Sequence, residues 1–273
     1  MDRAVHPEAV PRTRISASLA SMISAVIFDL DGTLVETEEL KAISHARSVT
    51  ELRPEVPEED VISAYGDDLI GHSRHEVAET LIQRFGLEEA ARERMAELGE
   101  DEPWRALVHI RRAMYEEILK DPDRILEKRY PHNIDLLREL RRQGYPTACA
   151  TMSHREQVRR VLSVLELEDA FDIVVTMDDV ECGKPDPEID LLVAEKMGVP
   201  PEEFLVIEDS AAGVGAGVAA GMAVVAVPTR LTRKGLRASG LLEPRWVVED
   251  LGTLPEVVRR RIADAGGRRE GDQ

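Results

Sequence analysis

The sequence predicts an α/β fold: a parallel sheet core with helices on both faces and an inserted all-α domain. From residue 131 onward, short apolar runs alternate with segments of helical period, a pattern typical of β-α-β units around a parallel sheet. One further apolar run, at residues 23–28, lies far upstream. A helical block of roughly 90 residues separates it from the others, which indicates an insertion after the first strand.

Each apolar run is predicted to form one strand of the sheet. The run at residues 23–28 is the first, and the others follow the helical block, at residues 147–150, 173–176, 204–207 and 224–227, with a shorter candidate at 246–248. Between the runs, apolar residues recur at helical spacing and predict the connecting helices. One such stripe consists of Val158, Val161, Leu162 and Leu165.

The chain is therefore predicted to consist of a core and an insert. The α/β core is expected to span residues 23–36 and 129–264, and the helical domain residues 37–128. Residues 1–22 and 265–273 are expected to be terminal tails. One helix of the insert is predicted to have an apolar face made of Trp104, Leu107, Val108, Tyr115 and Ile118.

The charge balance excludes several classes of function. The 273 residues include 53 Asp plus Glu against 35 Lys plus Arg, a formal net charge of −18. Nucleic acids and anionic membrane surfaces are bound through clustered positive charge, so neither is expected as a partner. The two cysteines are too few for a disulfide framework, and neither a membrane span nor a secretory signal is evident. We therefore expect a cytoplasmic protein.

Acidic pairs follow two of the predicted strands. Asp29 and Asp31 come directly after the first strand, in Asp-Leu-Asp-Gly-Thr, and Glu208 and Asp209 follow the strand at 204–207. Open α/β sheets bind ligands at the carboxyl ends of their strands. Carboxylates so close repel one another unless a cation or a raised pKa relieves the repulsion. Because Mg²⁺ prefers oxygen ligands, the pairs predict a Mg²⁺ site.

A hydroxyl and a lysine are expected at the same edge. Thr151 follows the strand at 147–150, and Lys184 lies in the loop after the strand at 173–176. Any one of these residues alone would more commonly be a turn former, a cap or a solvated charge. The ordered set of acid pair, hydroxyl, lysine and acid pair, each beyond a strand of one sheet, indicates a single site.

This set resembles the four motifs of the haloacid dehalogenase superfamily over about residues 23–248. The motif residues are, in order, Asp29 and Asp31, Thr151, Lys184, and Glu208 with Asp209. The resemblance implies a Rossmann-like core, with the helical insert as the cap domain of one major subgroup. It also implies Mg²⁺ as the cofactor and a small phosphorylated metabolite as the partner, and we expect a monomer or a weak homodimer.

The resemblance implies a role for each motif residue. Asp29 is expected to attack phosphorus and form an aspartyl-phosphate, while Asp31 protonates the leaving oxygen and then activates water. Thr151, the Met152 amide and Lys184 are expected to bind the transferred phosphoryl oxygens. The implied metal ligands are Asp29, the main-chain carbonyl of Asp31, Asp209, and Glu208 through water or Lys184.

The second aspartate argues against dehalogenation, because a halide needs no proton and dehalogenases of the superfamily typically lack that residue. We expect a phosphatase, since residues 31–38 resemble sugar-phosphate phosphatases of the xylulose-bisphosphate and phosphoglycolate types. Phosphoryl transfer between sugar positions, as in the β-phosphoglucomutases, stays the alternative. Thr33 and Lys41 depart from the mutases, which commonly have valine or isoleucine and histidine there.

The helical insert is expected to select the substrate. Gly71-His72-Ser73-Arg74 resembles the segment in which β-phosphoglucomutases hold the non-transferring phosphate, so Arg74 is expected to bind a remote anionic group, with Arg111 or Arg112 assisting. The alternative for Arg74 is a surface arginine near a helix start. An alternative of another class is a receiver-like phospho-acceptor, although receivers are about half this length and lack such an insert.

Overall fold

The computed structural model describes residues 23–65, 69 and 74–267. The predicted N-terminal tail at residues 1–22 lies outside the described residues, as do Gly71-His72-Ser73 and residues 268–273. No helix in the described ranges is long and apolar enough to cross a membrane.

Five parallel strands form one sheet in this part of the chain, in the order β3-β2-β1-β4-β5. They are β1 (Ala25–Phe28), β2 (Thr147–Thr151), β3 (Ile173–Thr176), β4 (Phe204–Glu208) and β5 (Ala223–Ala226). The predicted parallel sheet is confirmed, with each of these strands beginning and ending within two residues of its predicted limits. Apart from single end positions and β3, the strand residues are buried, as expected of strands covered on both faces.

The shorter candidate strand at 246–248 was wrong. Pro244–Trp246 form a 3-10 turn, and Val247 makes an isolated bridge with Ala226. Proline fixes its own φ and has no N–H to donate, which disfavours the start of a regular ladder. The segment still buries Trp246 and Val248, and its apolar composition was the signal that suggested a strand.

Between β1 and β2 the described residues form seven helices. They are α1 (Glu38–Leu52), α2 (Glu58–Ala64), α3 (Arg74–Phe85), α4 (Glu88–Leu98), α5 (Pro103–Ile118), α6 (Pro122–Glu127) and α7 (Pro131–Arg142). The later helices are α8 (Arg155–Val164), α9 (Glu188–Met197), α10 (Ala211–Ala219), α11 (Arg233–Ser239) and α12 (Leu254–Gly267). The last of these continues three residues into the segment predicted as a tail.

Helices cover both faces of the sheet, as predicted. Alternate residues of a strand point to opposite faces. In β1, Val26 and Phe28 therefore join one apolar cluster, and Ala25 and Ile27 join another. α7, α8 and α12 contribute to the first cluster, and α9 and α10 to the second.

The insert has an apolar core of its own. A third cluster, which includes Val49, Leu81 and Leu107, packs α1, α2, α3 and α5 together and is almost completely buried. Tyr115 and Ile118, from the predicted apolar face of α5, are also buried. Tyr115 and Ile118 belong to the first cluster, with Phe28 of β1, so α5 also packs on the core. The exact limits of core and insert stay a prediction.

Asp190 on α9 is a carboxylate inside the fold. The residue is 0% exposed, and neither carboxylate oxygen has a hydrogen-bond partner. Burial raises the pKa of Asp190 to about 6, against the opposing effect of Lys184 and with a further increase from Glu208. The native protein therefore holds this proton to a higher pH than an exposed carboxyl would.

The pH dependence of stability tests this environment. An exposed carboxyl titrates near about pH 4, so the native state binds the proton more tightly than the unfolded chain does. The resulting stabilisation is complete at low pH and is lost as the pH rises through about 6. We expect Asp190→Asn to reduce the fall in unfolding free energy between pH 5 and pH 8 by roughly 1 kcal/mol.

Urea denaturation of the metal-free protein at both pH values measures this difference. Asp135→Asn, at an exposed position of α7, is the control for the substitution itself. An identical pH dependence in wild type and Asp190→Asn would contradict the assigned environment.

Candidate active site

The site lies at the carboxyl ends of three neighbouring strands. Asp29 directly follows β1, and its N–H donates to the carbonyl oxygen of Ile207 in β4 at 3.0 Å. Thr151 is the last residue of β2 and Glu208 the last residue of β4. Since β1 pairs in parallel with both β2 and β4, the three strand ends meet at one edge.

Two glycines allow the acidic residues to approach the neighbouring backbone. Gly32 has a φ of +85°, a conformation that favours glycine, and a Cβ there would collide with the carboxylate of Asp209. A Cβ at Gly213 would collide with the carboxylate of Glu208. A side chain at either position would therefore displace an acid of the site.

Lys184 is the buried counter-charge of this cluster. Its Nζ donates to Asp29 Oδ1 at 2.9 Å, to Glu208 Oε1 at 3.1 Å and to the carbonyl oxygen of Ala150 at 3.0 Å. Burial alone would lower the pKa of Lys184, but the carboxylates of Asp29 and Glu208 outweigh it and hold the pKa well above its ordinary value. The ammonium group is thus charged and has an acceptor for each of its three protons.

The carboxylates of Asp29, Glu208 and Asp209 form a cluster with oxygens within 4.8 Å of one another, all buried. Burial raises the pKa of Asp29 well above its ordinary value although Lys184 opposes the shift, and burial with the charges of Glu208 and Asp29 does the same for Asp209. A hard divalent cation would relieve this repulsion, so the donor set fits Mg²⁺.

Glu208 differs from the other two acids in its contacts. One oxygen accepts from Lys184, and the other accepts from the N–H of Ser210 at 2.7 Å. Asp29 and Asp209 are therefore the carboxylates better able to face a cation directly. That Glu208 acts through Lys184 or water stays a prediction.

Asp31 has different surroundings, although it is only two residues from Asp29. Its Oδ2 accepts from the hydroxyls of Ser153 at 2.6 Å and Thr151 at 3.1 Å, and its Oδ1 accepts from Thr37. Burial raises the pKa of Asp31, but Lys41 and these hydroxyl donors outweigh burial and leave the pKa below its ordinary value.

A cavity of about 340 Å³ lies between this sheet edge and the helical insert. That volume is in the range of small-molecule sites. The predicted site residues all line it: Asp29, Asp31, Arg74, Thr151, Met152, Lys184, Glu208 and Asp209. The insert also contributes Glu38, Lys41, His45, Tyr65, Val77, Val108, Arg111 and Tyr115.

Arg111 of α5 is held in a fixed position in the cavity wall. Its Nε donates to the hydroxyl of Ser44 at 2.9 Å, and its guanidinium lies 4.9 Å from the centre of the Tyr115 ring. Burial, then the charges of Arg111 and Lys41, lower the pKa of His45 well below its ordinary value. The imidazole is therefore neutral and subject to the charges of two cations that line the same cavity.

Arg74 reaches from the insert to two loops of the core. Its Nη1 lies 3.2 Å from His154 Nε2, and its Nη2 donates to Met177 Sδ at 2.9 Å. His154 Nδ1 in turn lies 2.7 Å from Asp178 Oδ1. Arg74 thus lines the cavity, but its guanidinium is engaged by core side chains.

Three residues of the site were not predicted from the sequence: Thr37, Ser153 and His45. The available signal for Ser153 was its position two residues after Thr151, and for Thr37 its position in the segment that follows Asp31. His45 is one helical turn after Lys41, so both could face the same way. Nothing in the local pattern separates His45 from an ordinary buried histidine.

Comparison with known proteins agrees with this architecture. The family model of the haloacid dehalogenase-like hydrolases matches residues 26–227. The pyrophosphatase PpaX of Bacillus cereus is 30% identical over 233 residues, which cover 85% of this chain and 94% of PpaX. The chloroplastic protein SUPPRESSOR OF QUENCHING 1 of Arabidopsis thaliana is 29% identical over 89% of this chain, which corresponds to only 21% of that longer protein.

Solved structures share the fold over most of the chain. CbbY of Rhodobacter sphaeroides, solved as a mutant in complex with xylulose 1,5-bisphosphate, has a TM-score of 0.57 at 25% identity and covers 85% of this chain and 96% of its own. A β-phosphoglucomutase from Clostridium difficile has a TM-score of 0.63 at 22% identity, over 89% and 98%. Because the family match runs from the first strand through the fifth, the chain belongs to the haloacid dehalogenase-like hydrolases.

Proposed function

We propose that the protein is a Mg²⁺-dependent phosphatase that hydrolyses a small phosphorylated metabolite through an aspartyl-phosphate on Asp29. The observation that carries this proposal is the convergence of Asp29, Lys184 and the acids Glu208 and Asp209 at one cavity. The relative that is 30% identical is named a pyrophosphatase, which supports phosphoryl hydrolysis and leaves the substrate open.

In the proposed first step, an oxygen of Asp29 bonds to phosphorus while the bond from phosphorus to the leaving oxygen breaks. The electron pair of the broken bond passes to the leaving oxygen, and Asp31 donates a proton where that oxygen is basic. In the second step Asp31 removes a proton from water, which attacks phosphorus and releases Asp29 and phosphate. The hydroxyls of Thr37 and Ser153, one on each carboxylate oxygen, orient Asp31 for both steps.

Charge neutralisation is most of what phosphoryl transfer requires of a protein. We assign this part to Lys184, with Thr151 and the Met152 amide on the phosphoryl oxygens. Mg²⁺ held by Asp29, the main-chain carbonyl of Asp31 and Asp209, with Glu208 outside them, would supply the positive charge that brings an anionic nucleophile and an anionic phosphate together.

We further propose that the substrate carries a second anionic group, as a phosphoglycolate-like acid or a sugar bisphosphate does. Arg111 is the better-fixed cation for it, because Ser44 and the Tyr115 ring hold its guanidinium in the cavity wall. Arg74 is the second candidate and would have to exchange its contacts with His154 and Met177 for the substrate.

Phosphoryl transfer between sugar positions stays the alternative, favoured by the position of Arg74 at the cavity in a segment that resembles the mutases. An acceptor that only signals is not supported, because the chain belongs to a hydrolase family.

Steady-state phosphate release with and without Mg²⁺ tests the proposed reaction. Suitable substrates are 4-nitrophenyl phosphate, pyrophosphate, phosphoglycolate and a sugar bisphosphate. Asp29→Asn should lower kcat by about a thousandfold or more, because it removes the nucleophile, and chelation of the metal should abolish turnover. Asp123→Asn, on an exposed part of α6, is the matched control.

Two results would contradict hydrolysis at Asp29. Multiple turnovers by Asp29→Asn would exclude it as the nucleophile. Rapid interconversion of glucose 1-phosphate and glucose 6-phosphate without phosphate release would favour the mutase alternative.

The remote-anion assignment is tested by Arg111→Met and Arg74→Ala. Each should raise KM for phosphoglycolate roughly tenfold and change KM for 4-nitrophenyl phosphate little. Only phosphoglycolate has a second charged group, which loses its arginine partner in these variants. Arg112→Met is the control, because Arg112 lines a separate groove with Trp104 and His109. Equal effects on both substrates would argue against a role on the remote group.

A further inference from the structure

Lys41 stands beside Asp31 at the cavity, and the proposed function gives it no part. Its Nζ lies 2.7 Å from Glu38 Oε1 and 3.7 Å from Asp31 Oδ1. The lysine side chain is 22% exposed and lines the cavity. Lys41 therefore combines a fixed position next to the proposed acid with access to the substrate.

A carboxylate on the same helix holds the ammonium group of Lys41 in place. Glu38 precedes it by three residues on the same helix, and the other oxygen of Glu38 accepts from the Tyr65 hydroxyl at 2.8 Å. Burial would lower the pKa of Lys41, but the carboxylates of Asp31 and Glu38 outweigh it and raise the pKa well above its ordinary value. The insert thus holds a positive charge at a defined place.

Lys41 retains donor capacity toward the cavity. An ammonium group has three N–H donors, and Glu38 accepts one of them. The 3.7 Å between Nζ and Asp31 Oδ1 is longer than a hydrogen bond. Two atoms at that separation can both contact one oxygen placed about 2.8 Å from each. A leaving oxygen that reaches Asp31 can therefore reach Lys41 as well.

We propose that Lys41 is a further catalytic residue, which contacts the leaving oxygen and stabilises its negative charge as the bond to phosphorus breaks. The inference rests on the proposed function. As Asp29 bonds to phosphorus, the electron pair of the breaking bond passes to the leaving oxygen. A weakly basic leaving group keeps that pair as an oxyanion, which Lys41 neutralises with no proton transferred. A basic alkoxide instead takes the proton of Asp31.

This role identifies a class of substrate. A phosphoanhydride or an acyl phosphate releases an oxygen that is already stable as an anion, so a fixed ammonium serves it without a proton donor. Phosphoanhydrides and acyl phosphates therefore have leaving groups that Lys41 can serve alone, whereas a sugar phosphate or phosphoglycolate also needs the proton of Asp31.

The dependence of kcat/KM on leaving-group basicity tests the proposal. A series of aryl phosphates from 4-nitrophenyl to phenyl phosphate serves as the probe, together with pyrophosphate, because kcat/KM covers the steps through departure of the leaving group. Lys41→Met should steepen the dependence: kcat/KM for phenyl phosphate should fall by a factor about ten times larger than kcat/KM for 4-nitrophenyl phosphate. For pyrophosphate, kcat/KM should fall about a hundredfold. Lys41→Arg, which keeps the charge, should stay close to the wild-type dependence.

The chain offers a matched control in Lys120→Met. Lys120 also pairs with a glutamate three residues before it, Glu117, at 2.6 Å, but its side chain is 68% exposed. This variant should behave as wild type throughout the series. Glu38→Gln gives a second measurement that leaves Lys41 intact: with one countercharge removed, the dependence on leaving-group basicity should become shallower.

Two results would overturn the proposal. In one, Lys41→Met lowers kcat/KM by the same factor for every substrate of the series. In the other, the dependence on leaving-group basicity is unchanged in both Lys41→Met and Glu38→Gln. Lys41 would then have only a structural role between core and insert. If Lys41→Met does not fold, as judged by its thermal unfolding, the Lys41→Arg and Glu38→Gln dependences decide. Failure of the proposed function looks different: the wild type would then release no phosphate from 4-nitrophenyl phosphate with Mg²⁺, or Asp29→Asn would stay active.

Discussion

Three carboxylates share one small buried volume at the sheet edge, and the rest of the site is arranged around their repulsion. Asp29, Glu208 and Asp209 are each at most 5% exposed, so water screens their charges poorly. Lys184 offsets part of the excess through two ion pairs, at 2.9 Å and 3.1 Å. A buried charge that loses its partner typically costs about 3–5 kcal/mol, so the lysine contributes to the stability of the fold as well as to the proposed chemistry.

The same edge gives its two leading aspartates opposite environments. Asp29 lies among other acids, and its pKa is raised well above the ordinary value, chiefly by burial. Asp31 is also buried, yet Lys41 and three hydroxyl donors bring its pKa below the ordinary value. Two carboxylates whose pKa values are driven apart are the usual basis for a division of roles in catalysis. The donors to Asp31 come from both the core and the segment that enters the insert, so its surroundings depend on how the two pack.

Whether a feature depends on neighbouring residues or on contacts between distant segments explains which features of the fold and the site could be predicted from the sequence. Strands buried on both faces appear as short apolar runs, and the motif acids could be found because each directly follows such a run. The segment at 246–248 has the same apolar composition but buries its side chains without a regular ladder, a distinction that composition does not contain. The contact between Arg74 and His154 joins residues 80 positions apart, and no local pattern specifies it.

The net charge of −18 and an anionic ligand are reconciled by where the cations lie. At the catalytic edge the core contributes Lys184, whose three donors are already engaged by core acceptors. The other three cations that line the cavity, Lys41, Arg74 and Arg111, all belong to the helical insert. Attraction of an anion therefore depends on the packing of the insert against the carboxyl edge of the sheet, because the acid cluster alone would repel the ligand. The insertion after β1 thus makes the cavity less negative as well as enclosing it, since it adds three cations against the single carboxylate of Glu38.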